Sequence, residues 1–204
     1  MVKNMIKNIV FDIGNVLAGF AWQEFYLSFG FPEDIYEKLT KATIKSAFWN
    51  ELDRGVLNDD ELLEGFIRND PSIEKEIREV FQSVEKMITR YDYAIPWVKE
   101  LKGRGYGIYV ISNFSHKAYI ECADALDFLK ETDGAILSFQ EKLIKPMPEI
   151  YQLLTKRYGL KAQECVFIDD TAKNVEAAVK EGMKGIVFHT LDQVKTELEG
   201  MLTF

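Results

Sequence analysis

The stretch VFDIGNVL, residues 10–17, combines the two features that decide the fold: a short apolar run and an acidic residue at its end. Residues 9–11 are apolar without interruption, and Gly14 permits a turn two residues after Asp12. A continuous apolar run is typical of a strand that is covered on both faces, as in a parallel sheet between two layers of helices. The stretch therefore predicts a buried first strand that carries Asp12 at its carboxyl end.

Further short apolar runs of the same type follow later in the chain. They span residues 108–111, 135–137, 166–168 and 185–188. After residue 95 these runs alternate with helical patterns, and strands that alternate with helices indicate a doubly wound α/β protein. We therefore expect the α/β class, with a Rossmann-like parallel sheet and helices on both faces.

Residues 20–92 interrupt this alternation, and we interpret no segment of them as a strand. Asn58 followed by Glu61 predicts a capped helix start, because these two side chains can satisfy backbone N–H groups that the first turn leaves free. A second helix is predicted from apolar residues with helical spacing, at positions 73, 77, 80, 81, 84 and 88.

The expected organisation is a core with one insertion. A Rossmann-like catalytic core is expected over residues 1–17 and 93–204. A helical cap, residues 18–92, is expected between the first strand and the rest of the sheet.

Composition and charge exclude several classes of protein. The chain has 204 residues, 47% of them hydrophobic, and a formal net charge of −8, which disfavours a nucleic-acid partner. No apolar run approaches the roughly 18 residues of a membrane span. Cys122 and Cys165 lie far apart with no metal-type spacing. We expect a cytoplasmic protein without a membrane partner, and the sequence does not fix its oligomeric state.

Polar side chains collect at the predicted strand ends. In an open parallel sheet, ligands bind beyond the carboxyl ends of the strands. The groups expected around this crevice are three carboxylates, a hydroxyl, an amide and an ammonium, supplied by Asp12, Asp169, Asp170, Ser112, Asn113 and Lys145.

This set of groups suits metal-assisted phosphoryl transfer. Asp12 would attack phosphorus and form an aspartyl-phosphate. Because an anion approaches an anion, a divalent cation is needed, and Mg²⁺ prefers oxygen ligands with few carboxylates. Asp12 and Asp170 would supply two ligands, with Asp169 acting through water. The ammonium of Lys145 and the polar groups of Ser112 and Asn113 would hold the phosphoryl oxygens.

The same residues resemble, in order, four motifs of the haloacid dehalogenase-like hydrolases, in their small-cap branch (subclass I). FDIGNVL matches the first motif, with Asp12 as nucleophile, and VISN matches the second, with Ser112 on the phosphate. Lys145 in IKP matches the third motif. VFIDDTAKN matches the fourth, with Asp170 as a direct magnesium ligand and Asp169 in support. The resemblance covers nearly the whole chain and implies a Rossmann-like core with a cap of four or five helices.

Gly14 is the departure from the family pattern. Most phosphatases of the family have a second aspartate there, which protonates the leaving oxygen and then activates water. The backbone carbonyl of Gly14 can still bind the metal, but the lost acid–base step is worth about 10²–10⁴-fold in rate. Asn15, Glu51, Asp53 or the substrate itself are candidates for the missing role, and the sequence does not choose among them.

Two amides complete the expected site. Asn15, next to Gly14, is assigned to phosphate binding. Asn174 lies one helical turn beyond Asp170 and is expected to orient the metal ligands or Lys145.

Three functions remain open at this stage. The first is a phosphatase that is similar to bacterial sugar-phosphate phosphatases with a DxG motif, notably those acting on glucose 1-phosphate, so that a small phosphorylated metabolite is the expected substrate. The second is a metal-free 2-haloacid dehalogenase, since a leaving halide needs no proton, although the resemblance implies that such enzymes lack the paired aspartates Asp169–Asp170. The third is a non-catalytic or weakly active scaffold that binds phosphate ligands.

Overall fold

The computed structural model describes residues 5–202, in which a parallel five-stranded sheet forms the centre. The strands in chain order are β1 (Asn8–Phe11), β2 (Ala18–Phe20), β3 (Ile88–Arg90), β4 (Gly107–Ser112), β5 (Gly134–Leu137), β6 (Cys165–Asp169) and β7 (Lys184–Val187). The large sheet has the order β5-β4-β1-β6-β7. All of its neighbours are parallel, and Phe11 of β1 lies between Val110 and Ile168. The predicted α/β class and all five predicted core strands are confirmed.

The helices alternate with the core strands after residue 93. Those of the first half of the chain are α1 (Trp22–Leu27), α2 (Glu33–Ala42), α3 (Trp49–Arg54), α4 (Asp59–Asn69) and α5 (Glu74–Phe81). Those of the second half are α6 (Ala94–Gly103), α7 (His116–Glu121), α8 (Ser138–Glu141), α9 (Pro148–Tyr158), α10 (Ala172–Lys180) and α11 (Leu191–Leu202). None of the helices within residues 5–202 is long and apolar enough to cross a membrane.

Successive residues of β1 pack on opposite faces of the sheet, as a strand of period two requires. Val10 packs in one cluster with Ile150 and Leu154 of α9 and with Val175 of α10. Ile9 and Phe11 belong to a second cluster, which contains the buried residues of α6 and α11. The ring of Phe11 meets Trp97 edge to face at 4.9 Å. Burial on both faces explains why the strand is continuously apolar, and it holds Asp12 on a rigid support.

The helices α1–α5 lie between β2 and β3 and are called the insertion below. The second predicted helix was too long: α5 ends at Phe81, and Ile88 begins β3. The prediction of no strand in residues 20–92 was also wrong, because β2 and β3 pair in an antiparallel ribbon with Phe20 opposite Ile88. The capped helix start is confirmed. Asn58 Oδ1 accepts from the Glu61 backbone N–H, and Glu61 Oε2 accepts from that of Asn58, both at 2.9 Å.

Candidate active site

The predicted strand-end residues meet at the carboxyl edge of the large sheet. Asp12 directly follows β1, and its backbone N–H donates to Ile168 O of β6 at 2.8 Å. Ser112 and Asp169 are the last residues of β4 and β6, the two strands that flank β1. All three side chains are buried. The parallel register therefore brings together side chains whose residues are separated by up to about a hundred and fifty positions in the sequence.

Lys145 joins the first and fourth motifs through a buried ion-pair network. Its Nζ lies 2.8 Å from Asp12 Oδ1 and 2.6 Å from Asp169 Oδ2, and its side chain is 1% exposed. Asn113 fixes the backbone of this lysine: the Lys145 N–H donates to Asn113 Oδ1 at 2.7 Å, and Asn113 Nδ2 donates to Lys145 O at 3.1 Å. Both polar atoms of the Asn113 side chain are thus engaged in holding Lys145 in place.

Burial and charge set the protonation of this pair. Burial raises the pKa of Asp12 to about 7. The charge of Lys145 lowers it and the charge of Asp169 raises it, while hydrogen bonds from Lys145 and Ser112 lower it. Burial alone would lower the pKa of Lys145, but the charges of Asp12 and Asp169 outweigh burial and the pKa is raised. The ammonium therefore stays charged and favours the ionised form of Asp12.

Asp169 is the most constrained carboxylate of the site. Its Oδ1 accepts from the Thr171 backbone N–H at 2.7 Å, and Asn174 Nδ2 donates to both carboxylate oxygens at 3.2 and 3.1 Å. The predicted support by Asn174 is thus seen as contacts to Asp169, which in turn holds Lys145. Within the described part of the chain, the buried Asn174 Oδ1 finds no hydrogen-bond donor.

Asp170 and Asn15 form the more open side of the site. Asn15 has a left-handed backbone with φ of 56°. Its Nδ2 donates to Asp170 Oδ2 at 2.8 Å, and its Oδ1 accepts from the Phe20 N–H at 3.2 Å. The side chain of Asn15 therefore positions a carboxylate and the end of β2, in addition to lying beside Gly14.

The three carboxylates fit a divalent cation. Oxygens of Asp12, Asp169 and Asp170 all lie within 4.8 Å of one another. With every group ionised, three carboxylates around the single ammonium of Lys145 leave two negative charges. The donor set consists of hard oxygens, as Mg²⁺ prefers. Asn174 Oδ1, which accepts no hydrogen bond within the described residues, is a further acceptor. It is suited to a water molecule bound to such a cation.

A cavity of about 320 Å³ separates this cluster from the insertion. Asp12, Ser112 and Lys145 line its floor. The polar part of the wall includes two cations, Lys117 and Lys173. The apolar part is formed by Phe20, Trp49, Leu52, Phe81, Val84, Met87, Ile88, Phe114 and Ala118. This volume lies at the lower end of the range for small-molecule sites.

The insertion also brings one acidic side chain to the cavity. Asp53, in α3, lines it together with Gly14. Burial raises the pKa of Asp53 to about 7, while the charge of Lys145 lowers it and that of Asp12 raises it. Glu51, the other acidic candidate, does not line the cavity and pairs with Arg54 at 3.5 Å.

The arrangement of strand ends, cluster and cavity agrees with a comparison against known protein families. The model of the haloacid dehalogenase-like hydrolases matches residues 6–182. The chain belongs to this family. The insertion α1–α5 follows β1 and β2 in the chain, before the ribbon returns to the core at β3.

Two curated relatives of similar length are phosphatases. A sesquiterpene phosphatase of Aspergillus oryzae is 26% identical over 193 residues, covering 95% of this chain and 94% of the relative. A phosphorylated carbohydrates phosphatase of Thermotoga maritima is 25% identical over 204 residues, covering 95% of this chain and 91% of the relative. The two names describe substrates of very different polarity.

Solved structures share the fold. A haloacid dehalogenase family enzyme of Bacteroides thetaiotaomicron has a TM-score of 0.73 at 21% identity, covering 94% of this chain and 98% of that one. A second structure of that enzyme, in complex with magnesium and inorganic phosphate, has a TM-score of 0.70 at 21% identity, over 93% and 98% of the two chains.

Most of the cavity wall was not predicted from the sequence. Val84, Met87 and Ile88 were assigned to a helix or left unassigned, whereas they lie in the turn and strand that return from the insertion to the core. Their apolar side chains did not mark them as cavity residues, because the residues of the hydrophobic core are apolar as well.

Proposed function

We propose that this protein is a Mg²⁺-dependent phosphatase that cleaves a small phosphomonoester through an aspartyl-phosphate on Asp12. The observation that carries the proposal is the network in which Lys145 bridges Asp12 and Asp169 beside Asp170. Phosphatase relatives that cover nearly the whole chain support it. The enzyme of Bacteroides thetaiotaomicron, which shares the fold and was solved in complex with magnesium and inorganic phosphate, supports it as well.

Each group of the chain has a separate task in this reaction. Asp12 Oδ1 is held by Lys145 and by the Ile13 N–H at 2.7 Å, which positions the carboxylate on the floor of the cavity. Ser112 lies beside it to donate to a phosphoryl oxygen, and the ammonium of Lys145 offsets negative charge as the phosphoryl group approaches. Asn113 and Asn174 act through Lys145 and Asp169 as positioning residues.

Asp12, Asp170, the carbonyl of Gly14 and, less directly, Asp169 would hold the magnesium ion. When bound, Mg²⁺ would offset the charge of the phosphoryl group against the attacking carboxylate. Two features support this assignment. Asn174 Oδ1 accepts no hydrogen bond within the described residues, and the cluster has three carboxylates around the ammonium of Lys145.

We further propose that residues 18–92 act as a cap that covers the substrate. Residues 18–92 supply seven of the nine apolar wall residues, whereas the core supplies the charged floor. A wall of aromatic and aliphatic side chains favours an ester whose alcohol part is apolar or contains a ring over a bare sugar. A sugar phosphate such as glucose 1-phosphate stays the second substrate class, in which the rings would pack on its apolar face.

A phosphate-release panel tests this function and ranks the substrate classes. Isoprenyl monophosphates, aryl phosphates and glucose 1-phosphate would be supplied with Mg²⁺ or with a chelator. Release that requires Mg²⁺ and is fastest for the isoprenyl or aryl esters supports the proposal. Faster release from glucose 1-phosphate than from the isoprenyl and aryl esters would contradict the apolar preference. Halide release from 2-haloacids without metal would identify the protein as a dehalogenase and contradict the proposed phosphatase.

A further inference from the structure

The space beside Gly14 is open. A Cβ atom built on Gly14 meets no atom within 4 Å, and the residue lines the same cavity as Asp12. Cleavage of a phosphoester through Asp12, the proposed function on which this inference rests, needs a proton for the leaving oxygen and then a base for the attacking water. Residue 14 has no side chain that supplies either.

Asp53 is the acid of the insertion that lines the same cavity as Gly14. Among residues 5–202, the acidic residues that line the cavity are Asp12, Asp53 and Asp170. Asp12 and Asp170 are committed to attack and to metal binding. Within those same residues, the carboxylate of Asp53 forms no ion pair and accepts no hydrogen bond, so both of its oxygens stay available to a ligand.

The backbone around Asp53 is fastened to the core. Ser138 Oγ of α8 donates to Asp53 O at 2.5 Å, and Lys142 Nζ donates to Gly55 O. Gly55 ends α3 with φ of 67°, and a Cβ atom there would lie 2.8 Å from Phe139 Cα. This close approach is possible only for glycine. The contacts hold α3 against a core element, which gives Asp53 a fixed position in the lining of the cavity.

The charges around Asp53 suit repeated proton transfer. Burial raises its pKa to about 7, with Lys145 lowering it and Asp12 raising it. A carboxyl group whose pKa lies near the working pH can both give and take a proton in one catalytic cycle.

We infer that Asp53 is the general acid and base of the reaction, in place of the side chain that Gly14 lacks. In the first step Asp12 attacks phosphorus, the bond to the leaving oxygen breaks, and protonated Asp53 gives that oxygen its proton. In the second step ionised Asp53 takes a proton from water, whose oxygen attacks phosphorus. The bond between phosphorus and Asp12 breaks, which releases phosphate and leaves Asp53 protonated again.

The test compares Asp53→Asn with Glu51→Gln, an acid on the same helix that does not line the cavity. Two substrates are used: p-nitrophenyl phosphate, whose leaving group needs no proton, and the best alkyl phosphate of the release panel. For Asp53→Asn with the aryl ester we expect a burst of nitrophenol, accumulated phospho-Asp12 and a steady-state rate lower by about 10²–10³-fold. With the alkyl ester we expect a similar loss and no burst. Glu51→Gln should stay within about threefold of the wild type for both.

A second variant shows whether the role can be moved back to residue 14. Gly14→Asp places a carboxylate in the open space, so Gly14→Asp combined with Asp53→Asn should regain at least about tenfold in rate over Asp53→Asn alone. Thermal unfolding confirms that each variant is folded.

Two outcomes would overturn the assignment, and they are distinguishable. If Asp53→Asn turns over both esters at nearly the wild-type rate while Asp12→Asn is inactive, the phosphatase stands and Asp53 is not its acid and base. If the wild type releases no phosphate from any ester with Mg²⁺, the proposed function itself fails and the role of Asp53 fails with it.

Discussion

Lys145 Nζ lies 2.8 Å from Asp12 Oδ1, so that the candidate nucleophile is paired with a lysine from a loop more than a hundred residues later. The same ammonium contacts Asp169 at 2.6 Å, and all three side chains are almost fully buried. Removing one partner of a buried ion pair strands the other charges in a low dielectric. We therefore expect this lysine to contribute both to folding and, in the proposed reaction, to catalysis.

Lys145→Met is expected to lower stability and abolish activity. Breaking a buried pair costs about 3–5 kcal/mol, because Asp12 and Asp169 then repel each other without compensation. The free energy of unfolding, measured by denaturant titration in chelator, should fall by this order. Mg²⁺ should restore part of it, since the cation replaces the missing positive charge. Lys156→Met, at an exposed lysine of α9, is the matched control and should leave both stability and phosphate release unchanged. Unaltered stability of Lys145→Met would contradict the buried network.

Asp170→Asn is expected to weaken the dependence on magnesium. The amide keeps the shape of the side chain but loses the negative charge offered to the cation. The Mg²⁺ concentration that gives half of the maximal rate should rise by about 10–100-fold, a range typical of weakened metal sites. Magnesium titration of phosphate release measures it, with Asp192→Asn on the exposed side of α11 as control. An unchanged titration curve would exclude Asp170 as a metal ligand.

Asn174→Ala is expected to affect the metal site indirectly. The substitution removes two hydrogen bonds to Asp169. Asp169 would then hold Lys145 less firmly, and we expect a rate loss of about tenfold and weaker Mg²⁺ activation, with a stability loss of about 1–3 kcal/mol. A positioning role predicts that the maximal rate falls more than the affinity for substrate. An effect on substrate affinity alone would argue for direct contact with substrate instead.

Asp53→Asn is expected to raise stability while it lowers activity. Because the pKa of Asp53 is raised to about 7 by burial, the folded state binds its proton more tightly than the unfolded state does. The stability contributed by this residue is greatest below the ordinary aspartate pKa and is lost as the pH rises through about 7. Because asparagine does not ionise, the Asp53→Asn variant does not lose this stability as the pH rises. The melting temperature, measured in chelator, should therefore rise by a few degrees, about 2–4 °C per kcal/mol, at about pH 8, and by less at about pH 4. A lower melting temperature of the variant at about pH 8 would contradict this electrostatic origin.

The floor of the site could be predicted from the sequence, because the same local pattern of a buried strand followed by a helix repeats along the chain. Each buried apolar run ends at the same edge of the sheet, so Asp12, Ser112 and Asp169 had to meet. The ribbon β2–β3 was not predicted, since each strand has three residues and pairs with a partner about seventy residues away. The apolar residues of the chain from Ile73 to Ile88 fitted a helix repeat equally well. The choice between Glu51 and Asp53 depends on how α3 docks on α8, which is tertiary packing that no local pattern reveals.

Phosphate release by the wild type and by Asp12→Asn, with Mg²⁺ and with chelator, decides whether Asp12 is the nucleophile of a phosphatase. Asparagine keeps the shape of Asp12 but cannot attack phosphorus as a carboxylate. We predict Mg²⁺-dependent release by the wild type, a phosphoryl group on Asp12 after acid quench, and loss of both in Asp12→Asn. Retention of the wild-type rate by Asp12→Asn would rule out Asp12 as the nucleophile.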